Sequence, residues 1–409
     1  MNRKTGTKTM ISLLLTLLMA PAGMALAADD LKDAAQAIAR SSMMTDTHID
    51  VPYRLKEHWE DVTVATEGGD FDYVRARAGG LDIPFMSIFT PPSSEDDGSS
   101  FKLANSLIDN VEALVGRAPD KFVMVRSPRE AEQAWKAGKI GLAMGMENGS
   151  PIEGKLENVA FFKDRGISYI TLAHGKANHL SDSSYDEERK WSGLSPFGKQ
   201  VLAEMNRLGV MVDVSHLSDD AFWQVIELSE VPVIASHSSV RHFTPGWERN
   251  MSDEMIKAMA AKGGIIQINF GSSFISNEAR LWFDEMVEAR KAWMAENGYD
   301  KDSPERWKFK DIYIKDHPFP YADMDDLMAH FTHVIELVGI EHVGIGSDFD
   351  GVGDSLPEGM KDVSFYPNLV ERFLQLEYPI RDIEAVMSGN LMRVWREAEA
   401  YAAKAAAGP

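Results

Sequence analysis

Val210-Met211-Val212-Asp213-Val214-Ser215-His216 leads into Ser218-Asp219-Asp220-Ala221-Phe222-Trp223-Gln224-Val225-Ile226-Glu227-Leu228, and the chain then returns to Val231-Pro232-Val233-Ile234-Ala235-Ser236-His237. Two short runs rich in Val and Ile flank a helix-like segment. Asp219 and Asp220 fall in its first turn, where the helix dipole favours acids. The stretch predicts strand, helix and second strand, with a histidine ending each strand.

The same unit recurs in both directions. Similar runs stand at 44–50, 80–89, 140–147, 167–174, 264–270 and 343–348. Several lack two-residue alternation, as parallel strands buried on both faces do. The segments 29–41, 127–137, 196–208, 218–228, 324–338 and 383–403 read as helices. Eight β–α repeats predict an α/β fold, a (β/α)₈ TIM barrel. The competing fold is an open doubly wound sheet, but no glycine-rich dinucleotide fingerprint follows the first strand. No boundary divides 28–409, which is read as a single barrel domain. Two connections, about 90–120 and 271–341, are too long for plain barrel loops and read as insertions.

The 409 residues carry 42 Lys+Arg against 63 Asp+Glu, a formal charge of −21, and no cysteine. Thiolate metal sites, cysteine nucleophiles and disulfide scaffolds are excluded. The acidity argues against nucleic acid and anionic membranes and suits a protein that gathers divalent cations. At the N-terminus, Arg3, Lys4 and Lys8 precede an apolar run from Met10 to Ala20, followed by Ala25-Leu26-Ala27. This reads as a signal peptide over 1–27. The run is too short to span a bilayer, which takes roughly 20 residues. An exported protein, periplasmic or secreted and without a membrane anchor, is expected.

The chemistry gathers at predicted strand ends. Thr47-His48-Ile49-Asp50 ends the first, and its His and Asp, two apart, share one face. Gly145-Met146-Glu147-Asn148 ends the third. His174, His216 and His237 end the fourth, fifth and sixth, and Asp348 ends the eighth in Gly346-Ser347-Asp348-Phe349-Asp350-Gly351. Each alone is weak, since a lone histidine is more often structural. A barrel, however, brings all these ends to one face. His48, Asp50, Glu147, His216 and His237 supply enough N/O ligands for two zinc ions sharing Glu147 and clamping a hydroxide.

Those motifs resemble the membrane (renal) dipeptidase family, a branch of the amidohydrolase superfamily. The likeness extends through Asp182-Ser183-Ser184-Tyr185-Asp186, Gly193-Leu194-Ser195-Pro196-Phe197-Gly198, Ser236-His237-Ser238-Ser239 and Gly389-Asn390-Leu391-Met392-Arg393-Val394. The resemblance implies a dinuclear zinc dipeptidase acting on dipeptides with a free C-terminal carboxylate; a D-residue at that position stays open. His48 and Asp50 would hold one zinc, His216 and His237 the other, and Glu147 would bridge. His174 would bind the substrate carbonyl oxygen. Asp348, with Asp350 as rival, would relay the proton and hold the free amine. Arg249, with Arg241 as rival, would bind the carboxylate. A homodimer is expected. Pro84-Phe85-Met86-Ser87-Ile88-Phe89 departs from the family's glutamine-phenylalanine-tryptophan-serine run in a region lining the side-chain pocket. The alternatives are a deacylase or lactonase on the same barrel, in one branch of which a carboxylated lysine, here Lys176, bridges the metals, and an exported metal- or peptide-binding protein without turnover.

Overall fold

In the computed structural model, which describes residues 28–300 and 303–408, nine strands run parallel: β1 Thr45–Ile49, β2 Ile83–Phe89, β3 Phe122–Met124, β4 Ile140–Glu147, β5 Ile167–Thr171, β6 Met211–Asp213, β7 Ile234–Ser238, β8 Ile265–Ile268 and β9 Val343–Ile345. Eight follow one another in the order β1-β2-β4-β5-β6-β7-β8-β9. The ring closes where Ile49 bridges Phe349, with the Asp50 amide on the Phe349 carbonyl at 2.9 Å and the Asp348 amide on the His48 carbonyl at 3.1 Å. A closed ring replaces the doubly wound alternative. The read signal segment, 1–27, lies outside the described residues.

All eight expected strands are present, most of them shorter than their apolar runs. The ninth, β3, was not foreseen. It has three residues and pairs only with β4, from Phe122 on Ile140 to Met124 on Leu142, so it carries too little periodicity to register. The helix expected at 383–403 is Ile380–Glu384, a π-helical turn over Ala385–Gly389, and Asn390–Ala407.

Local chemistry sets the helix starts. The Ser218 side chain accepts from the Ala221 amide ahead of Asp219–Leu228, and Ser195 accepts from the Gly198 amide ahead of Pro196–Leu208. Each cap satisfies a donor the helix cannot. Ile83, Phe85, Tyr169, Met211, Ile234 and Ile265 pack together with Trp395 of the C-terminal helix. Phe85 and Trp395 stand 5.2 Å apart between ring centroids. This interior is a packed core, so chemistry is left to the opposite mouth. No helix among the described residues is long and apolar enough to cross a membrane.

Candidate metal centre and substrate cavity

Parallel strands deliver the sequence-predicted donors to one mouth. His48 lies in β1 and Asp50 just beyond it; Glu147 ends β4 and His237 lies in β7. His174, His216 and Asp348 each sit three residues past β5, β6 and β9. The last two turn sharply, with φ of 68° at His216 and 64° at Asp348. Non-glycine residues rarely adopt that region, and such strain persists where surrounding structure enforces it. At His216 its carbonyl accepts the Ser184 amide at 2.8 Å.

Glu147 is the hub. Its Oε2 stands 3.5 Å from His48 Nε2 and accepts from Ser87 Oγ at 3.3 Å. Its Oε1 faces His216 Nε2 at 3.1 Å, His237 Nε2 at 3.3 Å and His174 Nε2 at 3.5 Å. Asp50 Oδ2 lies 3.5 Å from His48 Nε2. Three overlapping donor groups result: His48 with Glu147 and His237; Glu147 with His174 and His216; His48 with Asp50 and Asp348.

Two residues to which sequence reasoning gave no role orient these imidazoles. The Tyr169 hydroxyl donates to the Thr47 carbonyl at 2.9 Å, so toward His48 Nδ1, also 2.9 Å away, it can only accept. The Ser236 hydroxyl donates to Asp213 at 2.6 Å, so toward His237 Nδ1 at 2.7 Å it too accepts. Both histidines therefore carry hydrogen on Nδ1 and turn the Nε2 lone pair to the cluster. His48 Nε2 is buried and has no hydrogen-bond partner. Imidazole Nε2 atoms gathered beside carboxylate oxygens, His216 and His237 at 2.8 Å from each other, form the donor set that zinc takes, so the residues fit a metal. Gly145 makes room: a Cβ there would lie 1.9 Å from the Tyr169 ring.

Electrostatics agree. Burial would raise the Glu147 pKa, but the imidazoles around it, His48 and His174 foremost, hold it well below the carboxylate range. Burial works against charge on His48, yet Tyr169, Glu147 and Asp50 together push its pKa well up. The carboxylates around His48 thus favour positive charge at this point of the cluster. Burial drives His216 and His237 well below the histidine range; Arg249 adds most for the first and His48 for the second. Burial, then the charges of Asp50 and Glu147, raise Asp348 far above an ordinary aspartate.

The rival residues differ in their surroundings. Asp348 Oδ2 accepts from Asn269 at 2.7 Å, while Oδ1 lies where a Cβ on Gly351 would intrude at 2.3 Å. Asp350 instead pairs with Arg54 at 3.2 Å and accepts the Asp70 amide at 2.6 Å. Arg249 is 2 % exposed; it donates to the His237 carbonyl at 2.8 Å and Ser238 Oγ at 2.7 Å, and Nη2 stands 3.1 Å from His216 Nε2. Arg241 is spent on Asp219 through contacts of 2.6 and 2.7 Å. Lys176 is exposed and belongs to none of the donor groups.

Over the cluster lies a cavity of about 1140 Å³, lined at its base by Asp50, Glu147, His174, His216 and Asp348. Phe89, at the end of the divergent 84–89 run, joins the wall. The 271–341 insertion supplies the far side through the helix Asn277–Glu296 and Phe319.

The profile of the membrane dipeptidase family, peptidase family M19, matches residues 32–408. An uncharacterised dipeptidase from Schizosaccharomyces pombe is 30 % identical over 385 residues, 89 % of this chain and 82 % of that protein. The crystal structure of the probable dipeptidase PvdM from Pseudomonas aeruginosa is similar at a TM-score of 0.79 and 26 % identity, over 91 % of this chain and 99 % of that one. A metallopeptidase from Rhodobacter sphaeroides, solved with a phosphinate mimic of L-Ala-D-Ala, shares the fold at a TM-score of 0.71 and 21 % identity, over 88 % of this chain and 100 % of that one.

Proposed function

Since the chain belongs to the membrane dipeptidase family, peptidase family M19, and is a peptide-bond hydrolase of metallopeptidase type, we propose that it is a dinuclear zinc dipeptidase. The observation that carries this reading is the division of Glu147: Oε2 faces His48, while Oε1 faces His216 and His237. One carboxylate can thus serve two ions, the first held by His48 and Asp50, the second by His216 and His237. Bound zinc supplies a Lewis acid for the scissile carbonyl and a water that ionises near neutral pH.

The remaining residues carry the proton and position the substrate. Asp348, with Oδ2 fixed by Asn269, takes the proton from the attacking water on Oδ1 and returns it to the leaving amine. His174 Nε2, on the cavity side of Glu147, donates to the carbonyl oxygen as negative charge develops there. Arg249 holds the substrate's C-terminal carboxylate; its Nε has no partner, and a guanidinium fork suits a carboxylate. Acceptance of a D-residue at that position belongs to the same proposal. Residues 1–27 would direct export to the periplasm or beyond, and 28–409 would act as one catalytic domain in a homodimer.

The test is hydrolysis of an L-L and L-D dipeptide panel by purified mature protein, with metal content measured on the same sample. Cleavage that vanishes on chelation and returns with two zinc equivalents is expected. Cleavage that survives complete metal removal would overturn the mechanism.

A further inference from the structure

We propose that the cavity-facing stripe of the helix Asn277–Glu296 is a specificity surface for dipeptides bearing a large apolar side chain; the inference rests on the dipeptidase reading above. Arg280, Phe283, Asp284, Val287 and Glu288 all line the cavity. Their spacing is that of one helical face. The charged members are spent on neighbours. Arg280 pairs with Asp284 and lies 5.0 Å over the Trp247 ring, and Glu288 pairs with Lys291 at 2.6 Å. Across the cavity Arg54 is likewise paired, with Asp350.

Phe283 is left as the uncommitted apolar member of the stripe, while Val287, partly buried, packs against the cluster of Trp282, Met286, Phe309 and Phe319 behind it. Phe283 is 48 % exposed although it borders the catalytic cavity. Trp282 and Phe319, packed edge to face at 4.9 Å, extend the apolar wall beside it. Size points the same way. Clefts of roughly 300–1,000 Å³ accommodate drug-sized ligands, and this one has about 1140 Å³. A dipeptide of two small residues would leave most of that space and the apolar wall against water. A phenylalanine or leucine side chain would cover the wall and gain hydrophobic free energy.

The experiment compares kcat/KM of the zinc-loaded mature protein for Ala-Ala and for Phe- and Leu-containing dipeptides, in wild type and Phe283→Ala. Phe283 is half exposed, so the variant should fold; Val287→Ala provides a second, smaller truncation. We expect wild type to prefer the large apolar substrates. Phe283→Ala should lower kcat/KM for them about tenfold or more, mainly through KM, and lower it much less for Ala-Ala. Equal losses on both substrate classes, or no loss on either, would overturn the proposal. So would a changed oligomeric state with unchanged selectivity, which would assign Phe283 to a subunit contact. A wild type that cleaves Ala-Ala without preference removes this inference alone. A wild type that cleaves no dipeptide removes the underlying reading with it.

Discussion

Replacing Tyr169 by phenylalanine should weaken metal binding although Tyr169 is not itself a ligand. The ring is fully buried inside the barrel, and the change deletes one oxygen. That oxygen joins two partners, accepting from His48 Nδ1 and donating to the Thr47 carbonyl, both at 2.9 Å. Burial pushes the hydroxyl pKa upward, so it remains a donor at neutral pH. Without it, nothing commits His48 to the Nδ1–H tautomer, and the Nε2 lone pair is no longer held toward Asp50 and Glu147. Loss of a hydrogen-bond partner behind a metal-binding histidine typically costs about 10–100-fold in affinity, or roughly 1.4–2.7 kcal/mol. The unpaired buried groups cost a further ~1–3 kcal/mol of fold stability. Two readouts separate these effects. Competition against a calibrated chelator gives the zinc Kd, and thermal unfolding of the metal-free protein gives the structural cost. A metal-free Tm that falls while the zinc Kd stays at its wild-type value would refute the tautomer argument and leave Tyr169 as core packing.

Three further outcomes are expected. Glu147→Gln should cost more zinc affinity than the roughly 10–100-fold of an orienting partner and should abolish turnover with circular dichroism unchanged; wild-type rates would remove Glu147 from the centre. Arg249→Ala should raise KM for free-carboxylate dipeptides more than it lowers kcat, and an unchanged KM would move carboxylate binding to another cation. His330 is buried, accepts the Val240 amide at 3.0 Å, faces the Ile275 carbonyl at 3.1 Å, and has its pKa lowered to about 3 by burial with His333 and His242 nearby. An unfolded histidine titrates near pH 6.5, so between about pH 6.5 and 3 the unfolded chain binds the extra proton. The stability His330 contributes is complete above that window and drains as pH falls, by up to roughly 4–5 kcal/mol. His330→Gln should flatten the urea-unfolding free energy between pH 7 and pH 4; an unchanged slope would contradict this.

The divisions between sequence and structure are physical. The eight barrel strands and the convergence of His48, Glu147, His216, His237 and Asp348 could be read from the chain, because parallel β–α repeats oblige every strand to end on one face. The choice of Asp348 over Asp350 had only chain order behind it. In three dimensions the two part because Asp70 and Arg54 claim the second. The roles of Tyr169 and Ser236 were invisible for another reason. Tyr169 reaches His48 across 121 positions of sequence, and a buried tyrosine in an apolar strand has no local mark of its duty. The 271–341 insertion declared itself only by length. Its placement over the cluster depends on a helix whose cavity face, Arg280 to Glu288, mixes charge and apolar surface and so resembles an ordinary solvent face in sequence. Periodicity is a property of neighbours along the chain and specifies elements and the face they end on; the partner of each hydrogen, and the wall that meets the substrate, are properties of neighbours in space.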